Sequence, residues 1–167
     1  ASSYTNAVEK WHADQVVLTV DANDNLMMSV MGQEDFDAVD ANGSKARIGL
    51  FPAVINDPLA DNVLDSRLDV YFLGIDDDSF IKPSELEDLT LTGNQVIVDE
   101  ELRNEGYEVG DVFGVTGSTM QYEIIGFSSN TTYQTAPVVF MSLDTWQEYR
   151  YGSFNTPNLF SGVVVKG

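Results

Sequence analysis

The chain has 167 residues, 43% of them hydrophobic, enough to bury about two-thirds of the surface its unfolded form exposes, so one domain or two small interleaved subdomains fit. Eight Lys and Arg against 27 Asp and Glu give a formal net charge of −19, spread along the chain without one block. That charge disfavours nucleic acid or an anionic lipid surface as a partner. The absence of cysteine excludes disulfide scaffolds, thiolate zinc sites, covalent heme attachment and cysteine nucleophiles.

No apolar run approaches the ~20 residues needed to span a bilayer, and the opening residues lack the basic and apolar regions of a signal peptide. Two readings remain: a cytosolic chain, or a segment whose membrane spans lie outside it.

In chain order, residues 4–14 read as a short helix, with Val8 and Trp11 three apart. A strand is expected over 15–20, then a turn at Asp21-Ala22-Asn23-Asp24-Asn25, then a second strand over 26–31 that would complete a hairpin. Residues 35–39 carry a short helix and Asn42-Gly43-Ser44 a turn before the apolar run 46–51. Segment 52–65, with two prolines and no clean period, reads as irregular with one helical turn.

Residues 68–75 form the clearest early strand, apolar throughout except at Asp69, and stop at the acidic turn Asp76-Asp77-Asp78. A loop over 79–81 and a helical turn over 83–86 follow. Strand 95–98, short helix 99–105, a turn at Gly106, strand 111–115, hairpin turn 116–119 and strand 121–127 then suggest a small, largely β subdomain. Beyond the polar loop 128–135 come strand 137–141 and helix 143–149, capped by Ser142 or Asp144. The last strand, 159–166, is expected to return to the sheet begun by 15–20.

The fold class is therefore α+β. Residues 1–87 and 152–167 form a discontinuous α/β subdomain, and residues 88–151 are a β-rich insertion within it.

Few residues offer chemistry. His12 is the one histidine, so a Ser-His-Asp triad has a single candidate base, and no serine stands in a G-x-S-x-G. Asp21, Asn23 and Asn25 imitate a calcium loop, but Leu26 replaces the required glycine and Gly32 the bidentate glutamate. Asp76, Asp77 and Asp78 offer hard oxygens to a divalent cation, yet consecutive side chains alternate faces, so a solvated turn is the plainer reading. Glu100 and Glu101 are adjacent on a helix and do not face each other. Gly43-Ser44-Lys45 lacks the earlier glycine of a phosphate loop. Met27, Met28 and Met31 cluster locally; soft, adaptable methionine surface serves either a heme or partner contact or simply the core.

Three stretches carry a family resemblance. Segment 91–115, LTGNQVIVDEELRNEGYEVGDVFGV, resembles the FtsX/MacB permease pattern of a strand ending in Val-Asp, a short helix and a Gly-x-x-x-Gly-Asp turn. Segment 122–149, YEIIGFSSNTTYQTAPVVFMSLDTWQEY, continues it with a strand closing on Ile-Gly-Phe, a polar loop holding Tyr133, and a Pro-Val-Val-Phe strand leading into a helix with Trp146. Upstream, YFLGIDDDSFIKP at 71–83 and VEKWHADQVVLTVDANDNLMMSVM at 8–31 look like parts of the narrower heme-efflux (HrtB-like) and DevC-like branch.

The resemblance implies the MacB-like core domain, an extracytoplasmic loop between two transmembrane helices of a permease that works as a homodimer beside a separate cytoplasmic ATPase. It implies a part that moves rather than an enzyme, with no cofactor of its own. The cargo would be a hydrophobic small molecule, with heme favoured by analogy, and Met27, Met28, Met31 and Tyr133 are its candidate contacts or those of a partner. The acidic surface and missing cysteines suit the outer face of a Gram-positive membrane. The rival reading is an extracellular binding or adhesion module with no transport role; membrane spans on both sides of the segment in the full gene product would separate the two.

Overall fold

Runs of valine, isoleucine and aromatic residues become strands in the computed structural model, which describes residues 15–17, 29–41, 43–152 and 157–166. The strands are β1 (Gln15–Val17), β2 (Ser44–Asn56), β3 (Leu68–Ile75), β4 (Gln95–Asp99), β5 (Val112–Val115), β6 (Gln121–Ser128), β7 (Thr132–Tyr133), β8 (Ala136–Ser142) and β9 (Gly162–Lys166). Among the described residues three α-helices accompany them: α1 (Gln33–Ala38), α2 (Glu101–Asn104) and α3 (Leu143–Tyr151). The helix expected at 4–14, with His12, and the turn and calcium-loop imitation at 21–26 lie outside the described residues, as do Met27 and Met28.

The strands lie in the order β1-β9-β2-β3-β8-β4-β6-β5, with β7 paired to β8. One further pairing, Ile55 with Val115 and Asn56 with Gly114, joins β2 to β5 and closes β2, β3, β8, β4, β6 and β5 into a ring. Pairing is antiparallel except between β3 and β8 and between β4 and β6, so the sheet is mixed. The fold is α+β, as the sequence indicates.

Each strand presents alternate residues to two apolar layers. Val70 and Phe72, Val96 and Val98, and Val139 and Met141 belong to the inner layer. Phe72 reaches Phe113 at 6.5 Å and Tyr122 at 5.4 Å, rings carried by β5 and β6, neither of which neighbours β3 in the sheet. Such contacts run across the interior of the ring. Leu73, Ile75, Ile97 and Phe140 form the outer layer, covered by Ile81, Leu86, Leu89 and Leu91 of the β3–β4 connection. Burial on both faces explains why β3 and β8 read as nearly continuous apolar runs.

Strand β3 has the limits the sequence indicates, and α3 begins where Ser142 Oγ accepts the Thr145 amide at 3.1 Å. Strand β9 returns to β1, as expected, and also pairs β2. Of the second strand expected over 26–31, only residues 29–31 are described, and there Met31 bridges Phe160, with hydrogen bonds of 2.7 and 2.9 Å. Helix α2 starts later than the expected 99 because Asp99 still belongs to β4, and its carboxylate accepts the Glu101 amide.

Segment 52–65 corrects the reading of an irregular stretch. Strand β2 runs straight through Pro52 to Asn56, and the helical turn is confined to Leu64–Ser66. Proline is tolerated because of the direction its backbone faces. The carbonyls of Ile48 and Val54 accept from Ser161 and Thr116, so even-numbered residues here turn their polar groups away from β3. The edge they face is covered by β9 only up to Ile48 and by β5 only from Ile55. The N–H that Pro52 lacks would have pointed into the gap between them, where the Tyr149 hydroxyl donates to the Pro52 carbonyl at 3.1 Å.

Candidate functional site

A groove of about 1060 Å³ runs along β2 and β3 to the end of β4 and the β7–β8 hairpin. Its walls include Pro52, Asp69 and Tyr71 on one side and Asp99, Glu101 and Thr132 on the other. The hairpin joins Tyr133 to Ala136 through Gln134 and Thr135 alone. Both central residues are left-handed, at φ 47° and 70°, the backbone of a type I′ turn whose twist matches that of its strands. Threonine is a costly choice there because its branched Cβ crowds the backbone.

The groove is acidic: Asp69, Asp99, Glu100, Glu101 and Glu105 line it against Arg67. Asp99 is committed to structure. It is 2% exposed, and its Oδ1 accepts both the amide and the hydroxyl of Thr131, at 2.6 and 2.9 Å. With the Glu101 amide on Oδ2 at 3.1 Å, the carboxylate ties the end of β4 to the loop before β7. It is a fastening, with both carboxylate oxygens taken up by bonds within the chain. In the sequence it is visible only as the strand-ending Asp of the family pattern.

Two of the three aspartates of the 76–78 turn, Asp76 and Asp77, are likewise engaged. Asp76 takes a two-pronged hydrogen bond from Arg47, at 2.7 and 3.1 Å. Asp77 accepts the Leu91 amide at 2.6 Å and the Lys82 ammonium at 3.0 Å, while Lys82 also donates to the Leu89 carbonyl. Burial alone would raise the Asp77 carboxyl, but these two donors hold it below the usual carboxylate range. Among the described residues no three His, Cys, Asp or Glu side chains are grouped to hold a metal ion. No helix among them is long and apolar enough to cross a membrane.

Met31 lies in the inner apolar layer, 5% exposed, and Tyr133 in the outer one, 2% exposed and edge-on to Tyr71 at 5.0 Å between ring centres. The structure does not bring these two together.

No protein-family model and no curated protein sequence matches the chain. Solved structures do. The crystal structure of the periplasmic region of MacB from Actinobacillus actinomycetemcomitans superposes with a TM-score of 0.55, over 90% of this chain and 72% of that one, at 10% identity. The extracellular domain of the noncanonic ABC-type transporter YknZ from Gram-positive bacteria superposes with a TM-score of 0.52, over 89% of this chain and 79% of that one, at 11% identity. The mixed sheet and its helices are thus, in fold, those of the MacB periplasmic region.

Proposed function

We propose that this chain is the extracytoplasmic domain of an ABC-transporter permease, at the outer face of the cell membrane, and that it performs no catalysis. The likeness of fold to the MacB periplasmic region over 90% of the chain carries the reading. The extracellular domain of YknZ, alike over 89%, supports it. The engaged state of Asp76, Asp77 and Asp99 agrees with a mechanical role, since these carboxylates fasten loops to strands.

In this reading the permease is a homodimer and a separate cytoplasmic ATPase supplies the energy. Closure of that ATPase moves transmembrane helices of the same polypeptide, and the paired outer domains follow, opening or squeezing a path for a hydrophobic cargo. We further propose that residues 88–151 are an inserted subdomain, because β4, β5, β6 and β8 occupy one unbroken stretch of the strand order. Heme is the cargo we propose, in line with the resemblance to the heme-efflux branch in segments 8–31 and 71–83. Contact of cargo with Met31 or Tyr133 would require the core to open, because both are buried.

The test is heme resistance in cells that carry the full permease and its ATPase, against cells whose permease lacks residues 8–151. Resistance lost on deletion, at equal membrane insertion, is the expected result. Equal sensitivity of both strains and the empty host would remove heme as the cargo. Resistance retained without residues 8–151 would remove the domain from the transport cycle.

A further inference from the structure

Six large apolar side chains are exposed among the described residues, and five of them fall in two segments: Leu59, Val63 and Leu64 in the loop 57–67, and Val109 and Val112 in residues 105–112, which lead into β5. The sixth, Val30, lies beside the Met31–Phe160 bridge. Scattered exposed apolar residues need no explanation, but a gathering does.

The two loops are neighbours because of the ring closure. In the antiparallel register Ile55 faces Val115 and Asn56 faces Gly114, so the chain leaving β2 and the chain entering β5 emerge at the same end. Both loops are held in place. The Asp57 amide donates to Ser66 Oγ at 2.8 Å, Ser66 Oγ donates to the Val63 carbonyl at 2.6 Å, and Arg67 Nε donates to the Leu64 carbonyl at 2.9 Å. On the second loop the Glu108 amide donates to Asp111 Oδ2, and the Gly110 amide to the Ile124 carbonyl, both at 2.8 Å. Leu59 is 91% exposed, Leu64 65% and Val109 58%, on backbone that these bonds hold. A backbone already fixed lowers the entropic cost of binding, which then falls on the side chains alone.

The rim decides what covers them. Asp57, Asp61, Asp65, Glu105, Glu108 and Asp111 share these two segments with the apolar residues, with Arg67 the cation within them. Anionic headgroups and a second copy of a chain with net charge −19 are both repelled by such a rim. We propose that this end of the sheet is a docking surface for a different protein, one that presents an apolar patch flanked by lysine or arginine. The proposal stands apart from the transport reading and uses neither the cargo nor the ATPase.

A designed amphipathic helix of about 18 residues, leucine along one face and lysine on its flanks, is a direct probe. Titrated into the 167-residue chain, it should shift the amide resonances of Leu59, Leu64, Val109 and Val112, and Leu59→Ser/Leu64→Ser should weaken binding by about tenfold. Those side chains are exposed, so the thermal transition of the double variant should match wild type, which keeps a folding defect apart from a binding one. Asp61→Asn/Asp65→Asn should also weaken binding, more so at low salt, whereas Glu87→Gln/Asp88→Asn, an equal loss of charge elsewhere, should not. Equal weakening by both charge pairs, or indifference to the leucine variant, would reduce the effect to bulk attraction and overturn the proposal. Leucine-dependent binding to phosphatidylcholine vesicles in place of the peptide would overturn it in favour of a lipid surface. A leucine-dependent dimer in sedimentation would overturn it in favour of a second copy.

Discussion

The indole of Trp146 occupies the space above Gly49: a Cβ built on that glycine would lie 2.3 Å from Cδ2 of the ring and within 2.6 Å of two more of its atoms. The register partner of Gly49 on β3 is Gly74, where a Cβ would meet the Cβ of Trp146, also at 2.3 Å. The two glycines therefore form a notch in the sheet into which α3 presses its one tryptophan, itself 1% exposed.

Gly49→Ala forces either the indole or the strand to move, and overpacking of this kind costs roughly 2–3 kcal/mol. In a Trp146→Leu background, already destabilised by the lost ring, the same alanine should cost less than about 1 kcal/mol, because the clash is gone. Urea midpoints of the four proteins test this. An equal cost in both backgrounds would mean that the notch is not what constrains Gly49.

Asp99 offers a second test. Asp99→Ala leaves the Thr131 amide buried without its acceptor and the Glu101 amide without its cap, while the Thr131 hydroxyl keeps only its bond with Ser128 Oγ. Stranding buried donors to a charged group costs about 3 kcal/mol. Thr131→Val, which keeps the amide bond to Asp99 and removes the hydroxyl, should cost roughly half as much. Chemical denaturation measures both, and a loss of less than about 1 kcal/mol on Asp99→Ala would contradict the fastening role.

Such costs fall where local sequence and long-range packing meet, and the two were unequally legible. Residues 68–75 announced β3 because both of its faces are buried, and Ser142 announced α3 because a capping hydroxyl acts within one turn. The Asp76-Asp77-Asp78 turn was also plain, but its partners were not, since Arg47 and Leu91 reach it from 29 and 14 residues away. Pro52 concealed the second half of β2: proline argues against a strand unless one edge is known to be open, and that edge exists only because β9 and β5 stop short of each other. Ring closure rests on pairs such as Asn56 with Gly114, for which no periodicity within either strand gives a sign. For the same reason Leu59 and Leu64 read merely as apolar residues in an irregular stretch. Their exposure shows only once the loops are placed.

Asp77 makes stability depend on acid. Its carboxyl is held low in the folded chain by the Leu91 amide and the Lys82 ammonium, against the effect of burial. A group depressed on folding contributes stability above its unfolded pKa, about 3.9, and that contribution is lost as pH falls through the folded value. Asp77→Asn should therefore unfold at a lower temperature than wild type at pH 7, by the equivalent of about 1 kcal/mol after solvent screening, and the gap should close as pH falls below about 4. Thermal melts across that range test it. A gap that stays constant with pH would assign the loss to packing of the Lys82 stem instead of to charge.

Tyr107 contributes on the alkaline side. Its hydroxyl is buried and has no hydrogen-bond partner among the described residues, while its ring stands edge-on to Phe113 at 6.3 Å. Burial, and then the negative charges of Asp57, Asp111 and Glu105, push the phenol up to about 12. Because the folded value lies above the unfolded one of about 10, the folded state keeps a proton that the unfolded state releases. The resulting stability is complete below pH 10 and is lost as pH rises from about 10 to 12. Tyr122, Tyr149 and Tyr151 are raised as well, chiefly by burial, so wild type should lose stability steeply in that window. Tyr107→Phe separates one contribution from the rest. At pH 7 it removes a hydroxyl that bonds to nothing, so unfolding free energy should stay within about 1 kcal/mol of wild type or rise. Above pH 10 the variant should lose stability less steeply, and absorbance at about 295 nm, which reports ionised tyrosine, should show one fewer late-titrating group in the folded protein. A clear loss of stability at pH 7 would mean that the Tyr107 hydroxyl has a partner, and an unchanged alkaline slope would mean that another tyrosine carries the effect.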